Sequence, residues 1–167
     1  MLYLFGNFAK NTTAAPVKVT TGTAIKTMLQ FKPLTPCNIV EWGYSFDGFA
    51  AALPGQVELV ETDVAATVTA LANADITQYD AQALQFGDPT TALISVGTSA
   101  TGFTATVEGT VTAARNLGGP QLIAPTNELI YQSPLGYRAY CQANKFTRIR
   151  VTFATAINMT CYLLVEF

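Results

Sequence analysis

The sequence contains no histidine and few charged residues. Of its 167 residues 12% are charged, and nine Lys and Arg stand against 11 Asp and Glu, for a formal net charge of -2. The lack of histidine excludes the Ser-His-Asp triad, histidine general bases and metal sites that need an imidazole ligand. The lack of a basic excess argues against nucleic acid and against an anionic membrane surface as partners. We therefore predict a protein that is not an enzyme and has no cofactor or metal.

The shortage of charge also has a consequence for the protein's surface. Half of the residues are hydrophobic, and the charged fraction is about half of the roughly 25% that is usual for globular domains. The exposed surface must then consist largely of Thr, Ala, Gly and apolar side chains, and a lone monomer with such a surface would be poorly soluble. We expect other protein subunits to cover part of the exterior.

Cysteine is scarce and widely spaced. Cys37, Cys141 and Cys161 form no C-x-x-C pair, which argues against both a disulfide framework and a zinc ribbon. We favour three small buried side chains in a reducing compartment. A reactive thiol is the weaker alternative, because no histidine is present to activate it.

No long hydrophobic run resembles a membrane span or a secretion signal. The apolar N-terminus has no basic region and is interrupted by Gly6 and Asn7, so we expect no signal peptide and a product made in the cytoplasm. The uncharged stretch from Pro89 to Val107 contains many threonines and two glycines, and it predicts no membrane span. Residues 1–16 are predicted to be an N-terminal arm or a first edge strand, ahead of one domain over 17–167.

Alternating hydrophobicity predicts strands in the first half of the chain. In the segment from Ile25 to Phe31, every second residue is apolar or threonine, so Lys26 and Gln30 are expected to face solvent. Residues 40–46 alternate in the same way and end at an Asp-Gly turn. Residues 57–62 are predicted to be their antiparallel partner, across an exposed apolar tip that runs from Phe49 to Gly55.

The C-terminal third reads as strand almost throughout. Residues 128–132 and 137–142 are predicted to form a hairpin, followed by strands over 146–153 and 159–167. Residues 63–98 are the least defined: 64–72 could be a strand or a short helix, and a short helix is predicted over 75–84. The whole pattern predicts an all-β, single-domain β-sandwich of the jelly-roll type with at most one or two short helices. An immunoglobulin-type sandwich competes, but its Cys-Trp-Cys arrangement is absent.

The acidic residues are poor candidates for chemistry. Glu58 and Glu61 lie an odd number of residues apart on a predicted strand, so they face opposite sides and cannot converge as a glycosidase pair. Asp63, Asp75 and Asp80 are the only loop candidates for a calcium site. We favour solvated charges at strand ends over both roles.

Two arginines share one face of a predicted strand. Arg148 and Arg150 could form an anion site or an inter-subunit salt bridge, but cross-strand pairing with Glu166 or Glu128 is the favoured interpretation. The aromatic stripe of Trp42, Tyr44 and Phe46 is expected to be core rather than a carbohydrate platform.

Several segments together resemble a known family of viral proteins. These are Glu41-Trp42-Gly43-Tyr44-Ser45-Phe46-Asp47-Gly48 with residues 57–62, then 131–136, 148–152 and 161–167. They resemble the small capsid decoration, or cement, proteins of tailed bacteriophages. The resemblance implies a jelly-roll fold, a homotrimer, and a virion protein that stabilises the head by bridging major capsid subunits.

This hypothesis names contact residues. The subunit or capsid contacts are expected among the apolar N-terminus, the exposed tip and the arginine pair, namely Leu2, Leu4, Phe5, Phe8, Phe49, Leu53, Arg148 and Arg150. The alternative hypothesis is a host-recognition or carbohydrate-binding module that uses Trp42 or the tyrosines Tyr131, Tyr137 and Tyr140 for stacking.

Overall fold

Two antiparallel sheets account for nearly all of the regular structure. The computed structural model describes residues 1–10, 13–79 and 93–167. Besides one 3-10 turn over Asn73–Asp75, its elements are β1 Leu2–Gly6, β2 Val19–Thr20, β3 Lys26–Phe31, β4 Cys37–Phe46, β5 Gly55–Thr62, β6 Thr67–Ala70, β7 Thr77–Gln78, β8 Gly102–Val107, β9 Ala114–Ile123, β10 Glu128–Gln132, β11 Ala139–Cys141, β12 Phe146–Thr152 and β13 Asn158–Glu166. The predicted β-sandwich is confirmed.

The strands pair in a nested order. Sheet A has the order β10-β4-β13-β1-β7, with β11 also on β4 and β2 on β13, and sheet B has the order β6-β8-β3-β12-β5-β9. The early strands pair with late ones: β1 with β13, β3 with β12, β4 with β10 and β5 with β9. Two of these pairs lie in each sheet, which is the topology of a jelly roll.

Aromatic side chains fill the space between the sheets. Phe5 of sheet A stacks on Phe31 of sheet B with ring centroids 4.8 Å apart, and Phe46 meets Phe153 edge-on at 4.9 Å. Trp42 and Tyr44 are buried beside them in the same core. The aromatic stripe of β4 is therefore core, as its period of two predicted, and Trp42 is not available as a carbohydrate platform.

The predicted pairing of successive strands is wrong in three places. β4 lies in sheet A and β5 in sheet B, so residues 57–62 are not the partner of residues 40–46. β10 and β11 both pair with β4 instead of with each other. β12 and β13 belong to different sheets. In two cases the connection passes from one sheet to the other. In the third case both strands pair with the same neighbour, β4, although the local sequence suggested a hairpin.

Gln30 is buried, contrary to the prediction that it faces solvent. A bulge leaves Met28 without a partner on β12, so both Met28 and Leu29 enter the core while Gln30 lies on the outer face of sheet B. Its side chain donates to the carbonyl of Ala100 (2.6 Å) and to that of Ala66 (3.3 Å), and accepts from the amide of Ala66 (2.8 Å). The outer face of this sheet is thus covered by the chain itself.

The weakly defined region contains short elements. Residues 67–70 form a strand, and the 3-10 turn followed by β7 occupies the start of the segment predicted as a helix over 75–84. The remainder of that prediction, and Asp80 as a calcium candidate, lie outside the described residues. Among the described residues no helix is long and apolar enough to cross a membrane.

Candidate functional site

A short segment crosses the outer face of sheet B and closes it. Residues 108–113, here called the strap, follow β8 and are tied down at both ends. The Glu108 carboxylate accepts from the amide and the hydroxyl of Thr27 at 2.5 and 2.6 Å. The Asp63 carboxylate accepts from the amides of Thr112 and Ala113, at 3.2 and 3.0 Å, and from the Thr112 hydroxyl. These bonds lower the pKa of Asp63 to about 2.

Beneath the strap lies a buried arginine. The Arg148 side chain is 0% exposed, and its Nη1 donates to the Glu108 carbonyl at 3.1 Å and reaches the Glu108 carboxylate at 3.5 Å. Its Nε and Nη2 have no partner within the described residues. Burial lowers the pKa of Arg148 to about 10, although Glu108 opposes that effect. Arg148 therefore holds the strap from below and does not form a surface contact.

The partners predicted for the two arginines are wrong. Arg150 pairs with Glu58, its direct neighbour on β5, at 2.7 Å, and Arg148 pairs with Glu108 of the strap. Glu166 instead forms an ion pair with Arg138. The cause is again the sheet crossing, since the terminal strand is not adjacent to β12.

The outer face of sheet A is open within the part of the chain that the structure describes. It carries a groove of about 540 Å³ between β10 and β7. Gly43, Tyr162 and Gly6 form one row across β4, β13 and β1. A Cβ atom on Gly43 would come 2.6 Å from the Tyr162 ring, and one on Gly6 would come 2.5 Å from the Phe8 ring. The two rings thus lie down on the sheet where glycine leaves space.

Polar groups flank these rings. The Tyr162 hydroxyl donates to the Glu41 carboxylate at 2.5 Å, and Gln132 lies opposite Glu41 on β10. Burial, the bond to Glu41 and the nearby Tyr79 phenol all raise the pKa of Tyr162. At the other wall Asp75 accepts from the amide of Lys10 at 2.8 Å, which fixes the 3-10 turn against the N-terminal segment. The groove therefore combines a partly aromatic floor with a polar rim.

An apolar edge forms the third distinctive surface. It consists of side chains from β10, β11 and the turn between them, namely Ile130, Tyr131, Leu135, Tyr137 and Tyr140. Leu135 and Tyr137 are 84% and 85% exposed. Both β10 and β11 lie on the same side of β4, and no other described strand pairs with their outer side. This edge bears unburied apolar area next to an unpaired strand.

The six apolar contact residues predicted from the sequence fall into three groups. Phe49 and Leu53 are exposed on the tip between β4 and β5. Leu2, Leu4 and Phe8 are half-buried on or beside β1, with Leu4 and Phe8 lining the groove, whereas Phe5 is in the core. Residues 2–6 thus form a strand between β13 and β7, so their burial needs no neighbouring subunit.

The remaining reactive groups are held within the fold. All three cysteines are buried, and Cys37 lies directly opposite Cys141 on the neighbouring strand. Burial raises the pKa of Cys161. Glu58 and Glu61 make separate ion pairs with Arg150 and Arg115, at 2.7 and 3.0 Å.

The carboxylates of the described residues form no metal-binding cluster. No group of three Cys, Asp or Glu side chains within residues 1–10, 13–79 and 93–167 is placed to hold a metal ion. Asp63 binds the strap and Asp75 binds backbone amides.

Comparison of the chain with protein-family models, with curated protein sequences and with solved structures finds no match. The functional interpretation therefore depends on the geometry of the groove, the apolar edge and the tip. Sequence reasoning found the tip but missed the groove. The signal for it was Gly43 within an aromatic strand, because glycine inside a strand often marks a close approach of another group.

Proposed function

We propose that this protein is a non-enzymatic structural component of a virus particle. It acts as a capsid decoration protein that assembles into a homotrimer and bridges major capsid subunits. The observation that carries the proposal is the apolar edge, because a surface of this kind in a charge-poor domain is suited to permanent contact with another protein chain. The trimer and the capsid partner come from the sequence resemblance.

The composition of the edge supports a second copy of the chain as its occupant. From residue 129 to residue 137 there is no charged side chain, and Glu128 and Arg138 bracket the segment. With a formal net charge of only -2 on each copy, electrostatic repulsion between copies is small. The unpaired side of β10 offers backbone groups that a neighbouring copy can bind, and the exposed tyrosines supply area at low entropic cost.

The tip supports a contact with a different partner. Phe49 and Leu53 are exposed on a loop beyond the end of β4, while Ala52 in the same loop is buried. The loop is tied to the β9–β10 connection, since the Gly48 amide donates to the Pro125 carbonyl at 2.9 Å. Two apolar side chains on a tethered loop suit insertion into an apolar depression of a capsid subunit.

Light scattering on the purified protein tests the assembly. We expect a mass three times the 17.8 kDa of the chain. Leu135→Asp places a charge in the centre of the edge, and we expect it to yield monomers with an unchanged unfolding temperature. Val107→Asp is the matched control, because Val107 is also exposed but lies on β8 in the other sheet. A monomeric native chain at micromolar concentration would refute the proposal.

Co-sedimentation with shells of the major capsid protein tests the second contact. The native chain is expected to bind at a fixed stoichiometry, and a Phe49→Ser, Leu53→Ser double variant is expected to remain trimeric but to lose shell binding. Shell binding that is unchanged in this variant would show that the tip is not the capsid contact.

The carbohydrate-binding alternative receives only limited support at the edge. Tyr131, Tyr137 and Tyr140 are exposed there, but they lie on β10, the following turn and β11 and do not line the groove on sheet A. If the edge is buried in a trimer, these rings are not accessible to a glycan.

A further inference from the structure

The groove on sheet A has features of a ligand site that the proposed structural role does not require. Its volume of about 540 Å³ lies within the roughly 300–1,000 Å³ typical of small-molecule sites. It lies on the outer face of sheet A and is not lined by the residues of the apolar edge or the tip. We propose that this groove binds a neutral oligosaccharide through the rings of Tyr162 and Phe8 and the polar rim of Glu41 and Gln132.

The arrangement of the rings favours a flat, partly apolar ligand. The Tyr162 ring lies over Gly43 of the neighbouring strand, and the Phe8 ring lies over Gly6 of its own segment, two residues earlier. Both residues line the groove, so each ring packs on the sheet at the groove floor. Tyr79 stands at the far wall and is exposed. A pyranose ring has C–H groups on its faces and hydroxyls around its edge, and it can lie on such rings while its hydroxyls reach the rim.

The polar rim supplies both kinds of hydrogen-bonding group. The Glu41 side chain accepts one bond from Tyr162, and its two oxygens have capacity for more. Gln132 lies beside it with a carboxamide that can donate and accept. Thr77 and Thr160 add hydroxyls to the lining. A few polar groups around a mostly apolar floor are the usual means by which a site orients its ligand.

The charge of the lining opposes acidic sugars. Glu41 and Asp75 line the groove, and Lys10 is the cation among the lining residues. Glu41 has no ion-pair partner among the described residues, so a uronic or sialic acid bound beside it would meet a like charge. The lining thus favours a neutral glycan over an acidic one, and the proposal does not depend on whether the protein decorates a capsid.

Calorimetric titration of the full chain with defined tetrasaccharides tests the site. The probes are cellotetraose, maltotetraose and the tetramer of N-acetylglucosamine, with the tetramer of galacturonic acid as the acidic control. We expect at least one neutral tetramer to bind at micromolar to low millimolar concentration, and the acidic tetramer not to bind. Failure of all three neutral probes, or equal binding of the acidic one, would overturn the proposal.

Single substitutions test where the glycan binds and whether a loss of affinity is caused by misfolding. Tyr162→Ala should weaken the affinity by about tenfold or more. Gln132→Ala removes an exposed side chain, does not endanger the fold, and should weaken it by several-fold. Tyr131→Ala is the matched control on the apolar edge and should bind like the native chain. If Tyr131→Ala loses affinity and Gln132→Ala does not, the glycan lies on the edge and the groove proposal is wrong. The monomeric Leu135→Asp variant should retain binding, which separates this test from that of assembly.

Discussion

The two outer faces of the sandwich differ in what happens to their polar groups. On sheet B, Gln30 and Arg148 are buried and their partners come from the same chain, through residues 66 and 100 and through the strap. On sheet A, Glu41 and Gln132 line an open groove within the described residues. The insertion between β5 and β9 accounts for this difference: its β6, β8 and the strap belong to sheet B, whereas among its described elements sheet A receives the two-residue β7 at its edge.

Polar groups thus serve stability on one face of the sandwich and are free for ligand binding on the other. Polar groups under the strap are committed to the fold, so their removal should cost stability. Polar groups in the groove are available to a ligand, so their removal should cost binding and leave the fold intact.

Replacing Arg148 should have the largest effect on stability. Arg148→Ala leaves the Glu108 carboxylate without its cation and opens a void under the strap. Breaking a buried ion pair in this way costs about 3–5 kcal/mol, and the partial exposure of Glu108 places the expected loss near the lower figure. Urea unfolding monitored by tryptophan fluorescence measures it. A loss below ~1 kcal/mol would mean that polar groups on the outer face of sheet B contribute no more to stability than those in the groove.

A companion variant separates charge from volume. Arg148 leaves Nε and Nη2 unpaired, so a similar-sized apolar side chain avoids that desolvation cost. The double variant Arg148→Met, Glu108→Gln should therefore be more stable than Arg148→Ala by at least ~1 kcal/mol.

Gln30 and Gln132 offer a matched pair of substitutions, with a smaller expected loss of stability than at Arg148. Gln30→Ala leaves the Ala66 amide and two backbone carbonyls without their partner in a buried position, at a cost of about 2–3 kcal/mol. Gln132→Ala, on the exposed rim of the groove, should change stability by less than ~0.5 kcal/mol. Thermal and urea unfolding of both variants provide the comparison, which fails if the two losses are equal.

The smallest effect concerns the strap at acidic pH. The bonds from Thr112 and Ala113 lower the pKa of Asp63 to about 2 from the ordinary value of 3.8. Because the folded pKa lies below the unfolded one, the stabilisation is complete above about pH 4 and is lost as the pH falls towards 2. NMR chemical shifts of the Thr112 and Ala113 amides should titrate with a midpoint near pH 2. In Asp63→Asn this titration should be absent, and a midpoint near 4 in the native chain would contradict the strap geometry.

Strands could be predicted from the sequence where hydrophobic and polar residues alternate strongly. Which strands pair with each other could not be predicted. The runs that became β3, β4, β5, β12 and β13 were all recognised from alternating residues. The alternation predicts that Gln30 faces solvent, because a strand with one covered face exposes every second residue. Gln30 does lie on the outer face of sheet B, but residues 66 and 100 of the insertion cover it. The exposed tip with Phe49 and Leu53 was predicted because apolar residues between two turn signals have no strand to join.

The groove could not be predicted from the sequence because its members are distant in the chain. Gly6, Gly43 and Tyr162 meet only when β1, β13 and β4 become neighbours. Glu41 and Gln132 are likewise brought together by the pairing of β4 with β10. Cross-strand contacts of this kind depend on register, and a shift of one residue would turn the groove residues to the core.

The sequence by itself determined that this protein is an all-β sandwich with an aromatic core, scarce charge and no histidine chemistry. Those properties follow from composition and from an alternation that is read over a few residues. The tertiary structure alone decided which strands pair, which arginine meets which glutamate, and which outer face the strap covers. These outcomes depend on the chain crossing between two sheets, and that crossing is decided by the joint burial of residues more than a hundred positions apart, as in the contact of β1 with β13.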